Sequence, residues 1–337
     1  MLKLTGDINF ADGFFDTGFG VGSVIATGVN PYKSLKRSSD DFWIGNFECV
    51  CSDVSCLKGS HAKQFRISPA FLQHFQHFDL YNIANNHVMQ HGSDAYREMQ
   101  QNILSFGARY FGSNDKRSHT FEHQGKKISI LGFSQRPGNF TTSPLYWAMP
   151  EYTEIAEQFK IIANDDFKIA YIHWGNEFIN FPYNDQRLFA HWLIDLGFDL
   201  IVGMHPHVMQ GFEVYKDKYI FYSLGNFVFN MSWEPTKYSV IVTVDLEGNI
   251  PCVGYEYVRL VDYFPKVVTD LEVPEPYRFT VLNNYLKQIL ENEIYYQKVF
   301  AGMAQYRMAN RMDILKRMYK LSFNDFTSMF FDFIKRR

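Results

Sequence analysis

Cysteine is scarce: the 337-residue chain holds four, Cys49, Cys51, Cys56 and Cys252. The C-x-C-x4-C spacing of the first three matches no zinc or disulfide frame. A disulfide scaffold is therefore excluded, and the thiols read as reduced bystanders. A basic excess is missing too. Lys+Arg 33 against Asp+Glu 36 leaves a net charge of -3, without the electrostatic footprint of a nucleic-acid binder. No run approaches the roughly 18 consecutive apolar residues of a membrane span. An acidic residue, Asp7, already interrupts the amino terminus where a secretory leader needs a longer apolar stretch. The expected location is the cytoplasm, with a peripheral place at the inner membrane left open. A Walker A lysine loop, an HExxH helix and a Gly-x-Ser-x-Gly elbow are all absent. Gly18-Phe19-Gly20-Val21-Gly22-Ser23 lacks the third-glycine spacing of a dinucleotide loop and reads as a turn near the site.

What is present suits a large α/β protein. Hydrophobic residues make up 46% and charged residues 20%, with Phe 33, Tyr 21 and Trp 5, a balance that buries a core of its own. Short apolar runs of strand length recur at Leu2–Thr5, Phe42–Ile44, Leu80–Ala84, Ile128–Phe133, Ile169–Ile172, Leu200–Val202 and Tyr219–Tyr222. Between several of them, Asp94–Phe106, Glu151–Ala163 and Asp185–Leu196 carry helical apolar spacing, the last with Asn184 as its expected cap. Alternation of the two predicts layered α/β architecture. Val240–Val244 and Val253–Val258 flank a Glu247-Gly248-Asn249 turn and predict a closing hairpin.

The composition changes near residue 265. Residues 277 to 337 contain no proline and one glycine, Gly302, and their Lys and Arg outnumber their Asp and Glu. Two to four helices are expected there. Ile314, Met318 and Leu321, then Phe326, Met329, Phe330 and Phe333, form a stripe for packing on the body. The chain thus divides into an α/β domain, 1–265, and a helical extension, 266–337. The basic, Met-rich character of the extension also suits peripheral membrane contact or self-association.

Metal-capable side chains collect where the predicted strands end, the usual place for a site in α/β proteins. Gly6-Asp7, Gly45-Asn46-Phe47-Glu48, Ala84-Asn85-Asn86-His87, His173-Trp174-Gly175-Asn176-Glu177 and Gly203-Met204-His205-Pro206-His207 follow one another at five strand exits. One such residue is ordinarily a cap or a satisfied core group. Five exits mixing carboxylate, amide and imidazole point to two divalent metals, since a bridging carboxylate lowers their mutual repulsion and neutral ligands limit the total charge. An extended His-Pro-His segment could send its two imidazoles to different ions.

With Tyr222-Ser223-Leu224-Gly225-Asn226-Phe227 added, these blocks resemble, in order and over about residues 1 to 260, those of the CapA family of bacterial capsule-synthesis proteins associated with poly-gamma-glutamate. The resemblance implies a four-layer metallophosphoesterase-like β-sandwich flanked by helices. It implies that Asp7 and His207 hold one metal, that Asn86, His173 and His205 hold the other, and that Glu48 bridges them. Mn, Fe and Zn suit such ligands equally. His87 is then placed to give a proton to a leaving group, with Glu177 and Asn46 orienting ligands and Asn9, Asn85 and Asn226 against substrate. The implied activity is a metal-dependent hydrolase or transferase with a metal-activated hydroxide, acting on an anionic polymer or a sugar-derived substrate of a capsule. The alternative is a non-catalytic, metal-containing scaffold for such a polymer. Three departures stand out: Gln90 occupies a position usually acidic, Asp7-Ile8-Asn9 replaces Asp-x-His, and the leader or anchor common in the family is not seen.

Overall fold

The computed structural model describes residues 1–13, 16–72, 76–138, 140 and 142–335. The apolar runs pair as strands of two sheets. In the first, Leu2–Ile8 lies between Phe42–Phe47, parallel to it, and Tyr238–Asp245, antiparallel, with Asn226–Val228 joining its end in parallel. The sheet continues through Leu80–Asn82 to Arg109–Phe111 on one side, and through Cys252–Val261 to Phe264–Val268 on the other. In the second sheet Phe212–Tyr215, Lys218–Phe221, Leu200–Met204, Phe167–His173, Lys126–Ser134 and Ser118–His123 follow in that order. Its four central strands are parallel.

Central strands such as Leu200–Met204 are buried along their whole length, because each sheet is covered on both faces. Leu4, Ile44 and Val242 of the first sheet meet Ile130, Ile169 and Val202 of the second in the middle layer. Outside the first sheet, helix Ser93–Ser105 turns Tyr96, Met99 and Ile103, at three- and four-residue spacing, into a cluster with Trp43 and Phe47. Outside the second, helices Tyr152–Ile162 and Asn184–Leu196 bury Ile155, Phe159, Phe189 and Leu193 against Ala170 and Ile172. Each fully buried side chain of this size contributes roughly 1.5–3 kcal/mol. The architecture is the expected four-layer α/β sandwich with a helical carboxy-terminal extension.

Some details differ from the sequence reading. Ser118–His123, Phe212–Tyr215 and Phe264–Val268 are strands that no apolar run announced, since all three lie at sheet edges and bury only part of their side chains. The switch from sheet to helix follows Val268, so residue 265 falls inside a strand. Tyr183, not Asn184, holds the N-cap position; Asn184 opens the helix and its amide donates to the Leu290 carbonyl at 2.9 Å.

Among the described residues the extension forms three α-helices, Phe279–Tyr285, Asn292–Arg317 and Phe323–Lys335. Phe279 and Leu282 complete the inter-sheet core. Tyr295 and Val299 cluster with Ile179. Gly302 lies directly against the Phe178 carbonyl, which a Cβ there would meet at 2.1 Å. The expected apolar stripe packs only in part: Met318, Phe326 and Phe330 are exposed. Polar contacts tether the last helix instead, through Asp325 with Lys63 and Ser328 with Ser60. The Phe333 side chain, Arg336 and Arg337 lie outside the described residues.

Candidate metal centre

Strand register builds the floor of the site. Asp7, Asn46 and Asn82 stand opposite one another on three neighbouring parallel strands. The Asn82 amide donates to Asn46 Oδ1 at 2.9 Å, and the Asn46 amide to Asp7 Oδ1 at 2.8 Å. Asn46 Nδ2 also lies 3.2 Å from His173 Nδ1, coupling the two sheets. Sequence reading missed Asn82. The signal for it was a polar residue inside the apolar run Leu80–Ala84, in register with Asn46.

The walls come from turns after the strands. Glu48 follows Phe42–Phe47, His173 ends its strand, and His205 and His207 follow Leu200–Met204. The segment carrying the last two is not extended: His205 has φ 98° and His207 φ 59°, left-handed conformations uncommon for residues other than glycine. The bend, rather than an extended proline segment, sets the two imidazoles 5.8 Å apart, and local strain of this kind concentrates at functional sites. Asp7 Oδ2 accepts from the His205 backbone N–H at 3.1 Å.

Glu48 lies at the centre. Its carboxylate is 3.9 Å from Nε2 of each of His87, His173 and His207, and the ligand atoms of Glu48, His205 and His207, and of Asp7, Glu48 and His173, gather into two triplets sharing Glu48. This partition differs from the expected pairing of Asp7 with His207, although His207 Nδ1 is 3.5 Å from Asp7 Oδ2. Asn86 Oδ1 is 2.8 Å from His173 Nε2. Both Glu48 oxygens and both His205 ring nitrogens are buried without a hydrogen-bond partner. Such orphaned groups are costly.

Electrostatics agree with that chemistry. Burial pushes Asp7 up to about 6, against the hydrogen bond from Asn46. Burial, reinforced by the Asp7 charge, holds Glu48 well above the usual carboxylate range. Desolvation drives His173 and His205 well below the ordinary imidazole value and His207 down to about 3. Neutral imidazoles around two adjacent carboxyls, with both His205 nitrogens and both Glu48 oxygens unpartnered, form a donor set that fits divalent cations, which would relieve both the carboxylate repulsion and the unpaired atoms.

The remaining candidates divide. His87 and Glu177 face a cavity of about 200 Å³ beside the centre. Burial lowers His87 to about 4 and raises Glu177. The three asparagines expected against substrate engage the protein itself. Asn85 donates to the Phe47 carbonyl at 2.8 Å, Asn9 accepts from the Ala11 N–H at 2.9 Å, and Asn226 Oδ1 lies 2.9 Å from His207 Nδ1. Of the glycine-rich segment 18–23, expected as a turn, residues 18–20 are a turn beside the site and Val21 opens the short helix Val21–Ile25. Gly18 and Ser23 donate backbone N–H groups to Asp12, and Gly20 leaves room for the Asp16 carboxyl, which lines the same cavity.

Residues 1–231 match the model of a family described as bacterial capsule synthesis protein PGA_cap. The PGA biosynthesis protein CapA of Bacillus subtilis is 36% identical over 227 residues, covering 63% of this chain and 59% of that protein. The capsule biosynthesis protein CapA of Bacillus anthracis is 32% identical over 188 residues, covering 51% of this chain and 45% of that one. The chain thus spans about half the length of these relatives. Among solved structures, a phosphatase from Mycoplasma pneumoniae aligns over 85% of this chain and 96% of its own at 13% identity, with a TM-score of 0.47. With the family model covering well over half of its residues, the chain belongs to the PGA_cap family of bacterial capsule synthesis proteins.

Proposed function

We propose that the protein is a metal-dependent hydrolase or transferase that cleaves or transfers a phosphoester, ester or amide bond in a capsule or surface polymer. Two divalent ions, Mn, Fe or Zn, would be held by Asp7, Glu48, Asn86, His173, His205 and His207. The observation that carries this reading is Glu48: a buried carboxylate with neither oxygen partnered, within 3.9 Å of three imidazoles. When bound, such a pair of ions polarises the bond under attack and activates water at neutral pH.

The chain's own groups supply the rest. Asn46 holds Asp7 and His173 in one orientation, and Asn226 does the same for His207. His87 presents Nε2 toward Glu48 while Nδ1 faces Gln90 Oε1 at 3.0 Å. In the neutral ring that bond keeps the proton on Nδ1, so Nε2 is free to take the proton given up by the attacking water and pass it to the leaving group. Glu177 orients water or substrate from the cavity wall.

Metal analysis of the purified protein and of Glu48→Gln, beside a panel of phosphodiester, ester and amide substrates, tests the reading. Wild type should carry up to two equivalents and turn over one bond class, and Glu48→Gln should lose metal at both positions. Unchanged metal in the variant would remove the bridge. Bound metal with no turnover would leave a scaffold that recognises a polymer without cutting it.

A further inference from the structure

Helix Asn292–Arg317 lies beyond the family-matching residues 1–231 and uses one side to close the site. Gly302 lets it rest on the Phe178 carbonyl, and Tyr306 stacks on the Phe178 ring with centroids 4.0 Å apart and planes 18° apart. From the same side Tyr306, Asn310 and Asp313 cover the cavity beside the centre. Those contacts occupy its inner face. The opposite side is apolar as well, which a helix packed on one face does not need. Met308, Met312 and Leu315, continued by Tyr319 in the turn that follows, recur at four-, three- and four-residue spacing and so stand in one row. Their surfaces are 69%, 52%, 63% and 81% exposed.

We propose that this outer face docks the protein on an anionic lipid surface, with the helix lying flat in the headgroup region. Cations frame the row: at about 3.6 residues per turn, Arg311 falls beside it on one flank and Lys316 on the other, and both are exposed. Between residues 297 and 324 the chain holds six Lys and Arg and one acid, Asp313. That acid lies on the inner face and is taken by Arg317 at 3.0 Å. An apolar row between long basic side chains suits a helix that sinks its apolar residues among acyl chains while its cations reach the headgroup phosphates. The last helix adds apolar surface of its own. Asp325 and Ser328 hold its inner side to Lys63 and Ser60, and Phe323, Phe330, Phe331 and Ile334 stay exposed. Among the described residues no helix is long and apolar enough to cross a membrane, so the attachment is to its surface.

Charge separates a lipid surface from the other occupants. A second copy meeting this face about a twofold axis would set Arg311 and Lys316 among their own images, with no acid on the face to receive them. A glutamate polymer would pair with the cations and leave the apolar row in water. Anionic lipid satisfies both kinds of group at once. Docking of this kind is independent of what the metal centre does, and it keeps the cavity one helix diameter, roughly 10 Å, from the lipid.

Flotation of the whole chain with lipid vesicles tests the proposal without any turnover. Vesicles of phosphatidylcholine with about 30% phosphatidylglycerol should carry the protein up the gradient, and pure phosphatidylcholine should carry roughly tenfold less. Met312→Ser combined with Leu315→Ser should cut the bound fraction about fivefold with the charge unchanged. Arg311→Gln combined with Lys316→Gln should cut it by a similar factor and weaken its dependence on salt. All four positions are exposed, so circular dichroism should match wild type in both variants. No flotation on either vesicle, or an undiminished bound fraction in the folded serine variant, would overturn the docking. A dimer in ultracentrifugation that the serine variant dissolves would overturn it in favour of a second copy. Tighter retention of the chain by a γ-glutamyl polymer than by the vesicles, lost in the glutamine variant alone, would overturn it in favour of the polymer.

Discussion

His87 Nδ1 lies 3.0 Å from Gln90 Oε1, so a neutral amide, and not a carboxylate, backs this imidazole of the cavity wall. Burial holds His87 down at about 4, and the hydrogen bond to the Gln90 amide oxygen offsets it only in part. Gln90→Glu should raise that value by roughly 1–2 pH units, because a carboxylate at this distance favours the imidazolium. The check is the titration of the His87 Cε1 proton, with the acidic limb of any pH–rate profile moving upward by a similar amount. A value that stays near 4 would mean that Gln90 does not face the ring.

Metal should stabilise this protein more at pH 8 than at pH 5. Asp7, raised from 3.8 to about 6 by burial in the metal-free protein, is largely protonated at pH 5, and burial with the Asp7 charge beside it favours the proton on Glu48 as well. A metal must displace those protons, so its apparent affinity falls as the pH drops through 6. With free metal at 100 times the dissociation constant the stabilisation is about 2.7 kcal/mol. Melting with Mn2+ and with chelator at the two pH values reads the difference directly; an equal shift at both would argue that Asp7 and Glu48 are not ligands.

Asn46 and Tyr306 differ in how much of their role is written in the local sequence. Asn46 ends an apolar run, and that break in pattern is visible in one dimension, as it is for Asp7, His173 and His205. The parallel strands then bring these breaks to one end of two sheets, and the site assembles from features each strand already shows. Tyr306 gives no such sign. It sits mid-helix among Met, Ala and Arg, and its value comes from a contact with Phe178, 128 positions earlier. Nothing local encodes that contact except Gly302, whose missing side chain reads as an ordinary helix defect until the Phe178 carbonyl is seen against it. Asp16 was hidden for a related reason: a lone acid in a glycine-rich turn looks solvated, and only tertiary packing buries it beside Asp12.

That buried pair gives the last prediction. Asp16 is pushed up to about 7, first by burial and then by the Asp12 charge, with the Asn230 amide only partly offsetting both. A carboxyl whose folded value is raised costs nothing while it stays protonated, below its unfolded value near 4. Its penalty grows as the pH climbs from 4 to 7 and is complete above 7. Asp16→Asn removes the charge, keeps the shape that Gly13 and Gly20 accommodate, and still offers an oxygen to Asn230. The variant should therefore match wild type near pH 4 and exceed it at pH 8 by on the order of 1–3 kcal/mol, read from urea unfolding of the metal-free protein. A gain that is the same at both pH values would show that the effect comes from packing and not from the charge. A loss at pH 8 would show that the ionised carboxylate has a partner that an amide cannot replace.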